Sequence, residues 1–302
     1  MPMLTVAMIV KNEEQFIEKV IKNTQPIADE IVITDTGSTD KTIDIIKKFK
    51  VRLFHYKWNT NESGARNFTL DKCRTDWMLC IDADEFVDIG DYQNIRKLIS
   101  SNNRYIAYRV LLRHYLDSRV NLRNLYQVDW SGSYILLSAV RIFKNKEGIF
   151  YSRPIYPSVN ESLRGRSDKV GNSNIIFHHL DIARNKQKKI EKIEWYYHDV
   201  FENLRRFPNN PEVNYIVAHY YNLRGEFDKA IRYYKKVLKL KPQHIKAKTS
   251  LGLAYVMLGK DNKGIRLIKE CQKINNVHPW EIESCLNTAF SVIARRVSEK
   301  AM

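Results

Sequence analysis

The stretch WMLCIDADEF, residues 77–86, places three carboxylates directly behind a short apolar run. The run has the length and composition of a buried strand, and it ends at Asp82, Asp84 and Glu85. Like charges this close disfavour each other's ionisation, so the cluster needs a compensating charge, and a bound divalent cation is the first candidate. Because alternate strand residues share a face, we expect Asp82 and Asp84 to project together while Ala83 points away.

The chain before this stretch alternates short apolar runs with helical patterns. The runs LTVAMIV, EIVIT and VRLFHY read as strands, and the patterns at 12–23, 38–49 and 62–73 read as helices, with Asn12 as a cap and Ser38 near the second start. Such alternation predicts a mainly parallel sheet with right-handed crossovers. In open sheets of this kind ligands bind beyond the carboxyl ends of the strands. The polar clusters KNEE, DTGSTD, NTNESGARN and DADE follow the four strands and are therefore the predicted site.

Short alternating stretches continue to about residue 182 and complete the same domain as β structure. Between them, residues 148–166 contain two prolines and read as a partly structured loop that carries an isolated acid, Glu161. We therefore predict one α/β domain over residues 1–182.

The remainder, residues 183–302, is predicted to be all-helical. Ala218, Tyr221 and Gly225 recur 34 positions later as Gly252, Tyr255 and Gly259, the period of tetratricopeptide repeats. The pattern predicts repeats at 211–244 and 245–278, followed by a capping helix.

Composition limits the class of protein. The 302 residues include no apolar run long enough to span a bilayer and no basic-then-apolar leader, so we expect a cytoplasmic protein. The four cysteines lack zinc spacing. Residues 1–100 have a net charge of −2 (14 basic, 16 acidic), and the rest has +18 (36 basic, 18 acidic). A positive field attracts polyanions, yet no zinc module, RNA-recognition signature or zipper heptad occurs, so nucleic acid is not a predicted partner. Acidic acceptors and peripheral contact with anionic lipid stay open.

Four motifs resemble, in their order and spacing, the nucleotide-sugar-binding half of a family 2 glycosyltransferase of the GT-A fold. They are MIVKNEE, EIVITDTGSTDKT, ESGARNFTLDKC and WMLCIDADEF. The resemblance covers residues 3–90 and extends more loosely to 182. The later part of the chain resembles the branch of this family that includes peptide S-glycosyltransferases. The resemblance lies in AVRIFKN, VNES and HHL and in the tetratricopeptide repeats that follow them. The resemblance implies a Rossmann-like GT-A domain followed by an all-α domain. It also implies inverting, Mn²⁺- or Mg²⁺-dependent transfer from a nucleoside-diphosphate sugar, expected to be a UDP-sugar, to a peptide, protein or glycan acceptor.

The same resemblance assigns roles at the donor site. Asp35 would meet the nucleobase or ribose, with Glu13 close to the ribose. Arg66 would lie near the base or diphosphate, and Asp82 would face the ribose or a metal-bound water. Asp84 would ligate the metal.

His179 is the second metal ligand that the resemblance implies, although residues 181–182 are Asp-Ile where relatives have Gly-Tyr. Inversion requires a base opposite the leaving diphosphate to take the acceptor's proton. Glu161 stands where relatives have that acid and is our predicted base, with Glu85 and Asp129 as competitors.

Four other possibilities remain open at this point. A nucleotidyltransferase has a similar sheet but would show a Gly-rich loop after its first strand, where this chain has KNEE. A non-catalytic tetratricopeptide adaptor is possible in principle, but the intact Asp35, Asp82 and Asp84 argue against it. A lipid-linked acceptor and a homodimer through the helical domain are also compatible with the sequence.

Overall fold

The computed structural model describes residues 2–101, 104–115, 134–154, 157–180, 197–273 and 279–301. The chain forms two compact units, residues 1–192 and 193–302. The predicted boundary after residue 182 falls within 181–196, outside the described residues, and stays a prediction.

The described part of the first unit is built on an eight-stranded mixed sheet in the order β3-β2-β1-β4-β7-β6-β8-β5. The strands are β1 Leu4–Val10, β2 Glu30–Asp35, β3 Arg52–His55, β4 Trp77–Cys80, β5 Glu85–Val87, β6 Ala107–Tyr115, β7 Tyr134–Lys144 and β8 Val170–His179. Strands β1 to β4 are mutually parallel, as predicted, and β7 joins them antiparallel through β4. β6 runs parallel to β8, which pairs antiparallel with β5. The first four strands therefore direct their carboxyl ends to one edge.

Helices follow β1, β2, β3 and β5 in the chain. They are α1 Ile17–Thr24, α2 Thr42–Ile46, α3 Glu62–Lys72 and α4 Tyr92–Ser100, with 3₁₀ turns at Gln25–Ile27, Ile89–Asp91 and Ser167–Lys169. α3 begins where predicted, because Asn61 caps it by accepting a hydrogen bond from the Gly64 amide at 3.1 Å.

The predicted cap at Asn12 is wrong. α1 begins five residues later, and Asn12 has a left-handed backbone, φ +55°, which Asn tolerates better than most residues. Its side chain instead accepts a hydrogen bond from the Thr39 amide at 2.7 Å, and its own amide donates to Ser38 Oγ at 3.0 Å. Ser38 likewise lies before α2 instead of starting it. These polar residues tie the loops after β1 and β2 together.

The central strand β1 is buried on both faces, as expected for a parallel strand covered on each side. Leu4, Val6 and Met8 pack into the larger core with α1 and α4, while Ala7 packs into a second core on the opposite face. The second core includes Tyr151 from the predicted loop at 148–166. That loop therefore covers the α3 side of the sheet.

The second unit is helical throughout its described residues. Residues 197–206 are helical, and they are followed by α5 Pro211–Leu223, α6 Phe227–Leu240, α7 Ile245–Met257, α8 Asp261–Glu270, a 3₁₀ turn Cys271–Lys273 and α9 Pro279–Ala301. None of the helices in the described ranges is long and apolar enough to cross a membrane.

Glycines mark the repeat in this unit. Gly225 and Gly259, 34 residues apart, both adopt left-handed conformations (φ +74° and +75°) in the turns after α5 and α7. Gly264 stands where the repeat pattern usually has Ala, because a Cβ there would lie 2.6 Å from Val256 Cγ2 and would meet the backbone of Gly252. α7 and α8 are therefore packed more closely than a Cβ at this position allows.

Candidate functional site

The strand ends bring the predicted donor-site residues together. Val10 at the end of β1 pairs with Asp35 at the end of β2, and Asp35 pairs with His55 of β3. The Asp35 carboxylate is buried and accepts backbone hydrogen bonds from Gly37 at 3.0 Å and Ser38 at 3.1 Å. Such bonds fix the orientation of a carboxylate without a neutralising charge.

Glu13 lies in the loop after β1 and is also buried. Its amide donates to Thr42 Oγ1 at 2.7 Å, and its carbonyl accepts the amides of Phe16 and Ile17 at the start of α1. Glu13 is therefore held by the junction of the first two loops, next to the end of β2.

Two arginines pair with Asp82 and Glu85, two of the three carboxylates of DADE. Arg66 of α3 donates to Asp82 Oδ1 at 2.6 Å and to Glu62 Oε1 at 2.8 Å. Arg141 of β7 donates to Asp82 Oδ2 at 3.0 Å and to Glu85 Oε1 at 2.6 Å. Burial would raise the pKa of Asp82, but the two guanidinium groups hold it well below its usual range. The compensating charge, for which a divalent cation was the first candidate, is thus supplied to Asp82 and Glu85 by arginines of the protein.

Arg141 was missed by the sequence reasoning. In the β6–β7 ladder Tyr108 faces Ile142 and Arg109 faces Val140, so Arg141 is the extra residue of a β-bulge. A bulge re-aims a side chain and is common next to functional sites. The Arg141 Nε atom is buried and has no hydrogen-bond partner among the described residues. Arg141 is part of the motif AVRIFKN, but the alternation of apolar and polar residues in that motif does not indicate a bulge.

Asp82 and Asp84 contact different residues. β4 ends at Cys80, and residues 82–85 form a turn in which the Glu85 amide donates to the Asp82 carbonyl at 3.0 Å. Asp84 is buried, and its Oδ1 lies 3.4 Å from His179 Nε2. The prediction that both aspartates project from one strand face is therefore wrong, because the strand stops before them.

His179 is brought to Asp84 by strand pairing. In β8 it lies opposite Glu85 of β5 and His114 of β6, and its Nδ1 is 2.8 Å from His114 Nδ1. Burial alone would lower the pKa of His179, but the hydrogen bond and charge of Asp84, together with the nearby acids, raise it. The surroundings of the His179 side chain therefore favour a positive charge.

The preceding residue, His178, has a different role. It is fully buried, contacts Tyr115 Oη at 2.8 Å and Asp88 Oδ2 at 3.1 Å, and burial lowers its pKa to about 4. It is a neutral core histidine. Of the two histidines in HHL, only His179 contacts the predicted site.

Glu161 lies apart from this cluster. Its side chain is 47% exposed, 3.8 Å from Arg153 and 4.0 Å from Arg164, and within the described part of the chain it has no contact with Asp35, Asp84 or His179. Glu85, a competing base, is buried with one oxygen bound by Arg141 and the other by the Asp82 amide. Asp129 lies outside the described residues.

The donor atoms of the cluster fit a hard divalent cation held by few protein ligands. Asp84 supplies a carboxylate oxygen and His179 an imidazole nitrogen, whereas Asp82 is occupied by arginines. No group of three or more His, Cys, Asp or Glu with metal-site geometry occurs in the ranges that the structure describes. Mg²⁺ and Mn²⁺ in nucleotide sites characteristically use one or two carboxylates and take phosphate oxygens and water for the rest.

Solved structures match this chain at low similarity. Glucosyl-3-phosphoglycerate synthase from Mycobacterium tuberculosis, in complex with Mn²⁺, UDP-glucose and phosphoglyceric acid, has a TM-score of 0.45 and 17% identity over 67% of this chain and 79% of that one. Residues 1–349 of Staphylococcus aureus TarS have a TM-score of 0.44 and 13% identity over 88% of both chains.

Curated sequence relatives match part of the chain. An uncharacterized glycosyltransferase of Rickettsia bellii is 36% identical over 115 residues, 37% of this chain and 39% of the relative. LpsC of Rhizobium meliloti, a lipopolysaccharide core biosynthesis glycosyltransferase, is 31% identical over 118 residues, 37% and 43% of the two chains. SunS, an SPbeta prophage-derived glycosyltransferase of Bacillus subtilis, is 34% identical over 99 residues, 32% and 24%. The matches thus span about two fifths or less of these relatives' length.

Family models match both units. A tetratricopeptide repeat model matches residues 211–244, which confirms the first predicted repeat, while 245–278 stays a prediction. The model for glycosyl transferase family 2 matches residues 5–168, more than half of the chain, and with the sheet topology it confirms the predicted GT-A fold class. The chain therefore belongs to glycosyl transferase family 2, the family of enzymes that its four ordered strand-end motifs predicted.

Proposed function

We propose that this chain transfers a sugar from a nucleoside-diphosphate sugar to an acceptor, with inversion, in a reaction that depends on a divalent cation. Family membership supports the reaction class. The observation that carries the metal dependence is the 3.4 Å approach of Asp84 Oδ1 and His179 Nε2 at the edge where Asp35 and Glu13 also lie. A UDP-sugar is the first donor to test, as the resemblance of the strand-end motifs implies.

Asp84 and His179 would hold the cation, Mn²⁺ or Mg²⁺. When bound, such an ion neutralises negative charge that develops on a departing diphosphate. His114, at 2.8 Å from His179 Nδ1, would orient the imidazole so that Nε2 faces the ion, the usual role of a second contact to a metal-binding histidine.

The remaining residues would bind and orient the donor. Asp35, fixed by two backbone amides, can accept a hydrogen bond from a base or ribose without reorganising. Arg66 is buried beside Asp82 and lies 5.3 Å from the ring of Tyr151, so its position is set on two sides. A guanidinium held this way can face a diphosphate without a large loss of side-chain entropy.

We keep Glu161 as the proposed base. Its carboxylate is half exposed and therefore open to an acceptor hydroxyl, whereas both oxygens of the buried Glu85 are already bonded. Glu161 would take the hydroxyl proton as the acceptor oxygen attacks the anomeric carbon. A thiol acceptor would need this base less, since thiols are already partly ionised near neutral pH.

Two acceptor classes follow from the relatives and the repeats. Tetratricopeptide repeats present surfaces suited to peptides, which supports a peptide or protein acceptor and the SunS-like branch. LpsC is named for lipopolysaccharide core biosynthesis, which supports a glycan or lipid-linked acceptor. We propose the peptide or protein class first.

Donor binding tests the metal site directly. Calorimetric titration with UDP should show binding that requires Mn²⁺ or Mg²⁺, and Asp84→Asn and His179→Asn should each weaken it at least about tenfold. Asp168→Asn and His198→Asn, at exposed positions, are the matched controls and should bind as the parent does. Metal-independent UDP binding of normal strength in both site variants would exclude the assignment.

Turnover tests the reaction class and the base. UDP-, GDP- and dTDP-sugars should be compared with and without Mn²⁺, and release of nucleoside monophosphate with sugar 1-phosphate would indicate a different class of enzyme. Glu161→Gln should keep UDP binding and lose transfer to a hydroxyl acceptor by about 10²–10⁴-fold. Normal transfer by Glu161→Gln would remove Glu161 from the mechanism and leave Asp129 to be tested.

A further inference from the structure

The second helices of the two repeat pairs carry matching rows of basic residues. On α6 these are Lys229, Arg232 and Lys235; each recurs 34 positions later on α8, as Lys263, Arg266 and Lys269. We call these six residues the basic face. Their spacing places them on one side of each helix. All six are exposed, and the opposite side of each helix is buried, at Ala230, Tyr234 and Val237 on α6 and at Gly264 and Ile268 on α8.

Most of the basic face lacks a neutralising acid. Lys229 pairs with Glu226 at 2.6 Å, and Arg266 lies 3.9 Å from Glu270. The other four have no carboxylate within 4.0 Å in the described residues of this unit. Residues 211–273 hold 14 Lys and Arg against five Asp and Glu, a formal charge of +9 (14 − 5). A solvated helix face with i,i+4 pairs of opposite charge would be close to neutral, and this one is not.

The two rows meet at one residue. Lys263 Nζ of α8 lies 4.3 Å from the ring centroid of Tyr255 on α7. Burial alone would raise the pKa of Tyr255, but hydrogen bonds from Lys263 of α8 and Lys235 of α6 lower it. Lys263 of α8 and Lys235 of α6 both act on Tyr255, so the two rows adjoin at this residue.

We propose that the basic face binds the anionic headgroups of a lipid bilayer. Four of its six residues are lysines, which attract any anion as point charges and lack the planar fork of arginine that selects particular groups. Two adjoining rows of exposed cations match a planar array of negative charges, and each Lys or Arg near such a surface adds to binding. This inference is independent of the proposed catalytic site.

The test is sedimentation of the full chain with vesicles of phosphatidylcholine, alone or mixed with phosphatidylglycerol. Binding should require phosphatidylglycerol and fall as salt rises, because exposed charges are screened. The triple variant Arg232→Gln, Lys235→Gln, Lys269→Gln should lower the partition constant by about 100-fold, from roughly fivefold for each lost charge.

The matched control carries the same loss of three charges on the first unit: Lys47→Gln, Lys48→Gln, Lys50→Gln, at exposed positions. It should bind vesicles within about threefold of the parent. Circular dichroism of both variants checks that the repeats stay helical.

Three outcomes would overturn the proposal. The first is no binding of the parent to anionic vesicles at low salt, and the second is an equal loss of binding in the control variant. The third is tighter binding, at matched salt, to polyglutamate or to a single-stranded oligonucleotide than to the vesicles, which would assign the basic face to an acidic protein or to nucleic acid.

Discussion

Replacement of Arg141 tests the account of how the carboxylate cluster is tolerated. Its guanidinium lies 2.6 Å from Glu85 Oε1 and 3.0 Å from Asp82 Oδ2, and the Glu85 side chain is only 3% exposed. Arg141→Met keeps apolar volume but removes the guanidinium bonded to the buried Glu85, while Asp82 keeps Arg66. Breaking one side of a buried ion pair costs about 3–5 kcal/mol. For a unit of this size about 2–4 °C is lost per kcal/mol, so the melting temperature should fall by about 6–20 °C.

Differential scanning calorimetry of the full chain measures this shift. Arg96→Met is the matched control: its pair with Asp29, at 2.8 Å, has both side chains about 30% exposed. Exposed pairs contribute about 0–1 kcal/mol, so this variant should lose at most about 4 °C.

Adding Glu85→Gln to Arg141→Met should recover part of the loss, because the buried group then carries no charge. A double-mutant cycle gives the coupling between the two residues, which we expect to exceed about 1 kcal/mol. If Arg141→Met unfolds at the temperature of Arg96→Met, or if Glu85→Gln gives no recovery, then Arg141 does not stabilise the cluster by charge and the reasoning fails.

Three further predictions concern stability. The buried amide of Asn23 bonds both the N–H (2.8 Å) and the C=O (3.0 Å) of Val87. Asn23→Ala leaves both groups unpaired and should lower the free energy of unfolding by about 2–4 kcal/mol in urea titrations. Asn23→Asp should lower it by less than Asn23→Ala does. Burial disfavours ionisation of Glu30, but the hydrogen bonds that its carboxylate accepts lower its pKa below 4.5. The ionised carboxylate therefore stabilises the fold above pH 4.5, and this stabilisation is lost as the pH falls through the folded-state pKa. Glu30→Gln should therefore flatten the acid side of a stability–pH profile; an unchanged slope would contradict the assignment. Gly264→Ala should lower the melting temperature of the helical unit although Ala favours helices, since its Cβ would lie 2.6 Å from Val256 and overpacking costs about 1–3 kcal/mol. A stabilised Gly264→Ala variant would show that α7 and α8 can separate.

Much of the architecture was predictable because it depends on local pattern. Apolar runs of strand length alternating with amphipathic helices specify a parallel sheet, and parallel strands necessarily bring their carboxyl ends to one edge. That reasoning placed Asp35, Asp82 and Asp84 at or just beyond the carboxyl ends of β2 and β4, where the structure has them, and the 34-residue period identified the repeat at 211–244. Family membership could be inferred from the order of the motifs alone.

The partners within the site could not be predicted in this way. Whether Asp82 meets a cation or an arginine depends on where β7 inserts beside β4, and the aim of Arg141 depends on one extra residue in a ladder. Similarly, Asn12 was assigned as a helix cap because capping and loop coupling use the same side-chain atoms, and only the neighbouring loop decides between them.

The two histidines of HHL separate what the sequence determines from what the tertiary structure decides. The sequence by itself determined that adjacent residues of an extended strand point to opposite faces, so one histidine had to face away from the other. Only the tertiary structure decided that His178 enters the core beside Tyr115 while His179 meets Asp84, because that choice depends on the register of β8 against β5 and β6. Register is set by contacts between residues far apart in the chain, and a one-residue shift would exchange the two faces.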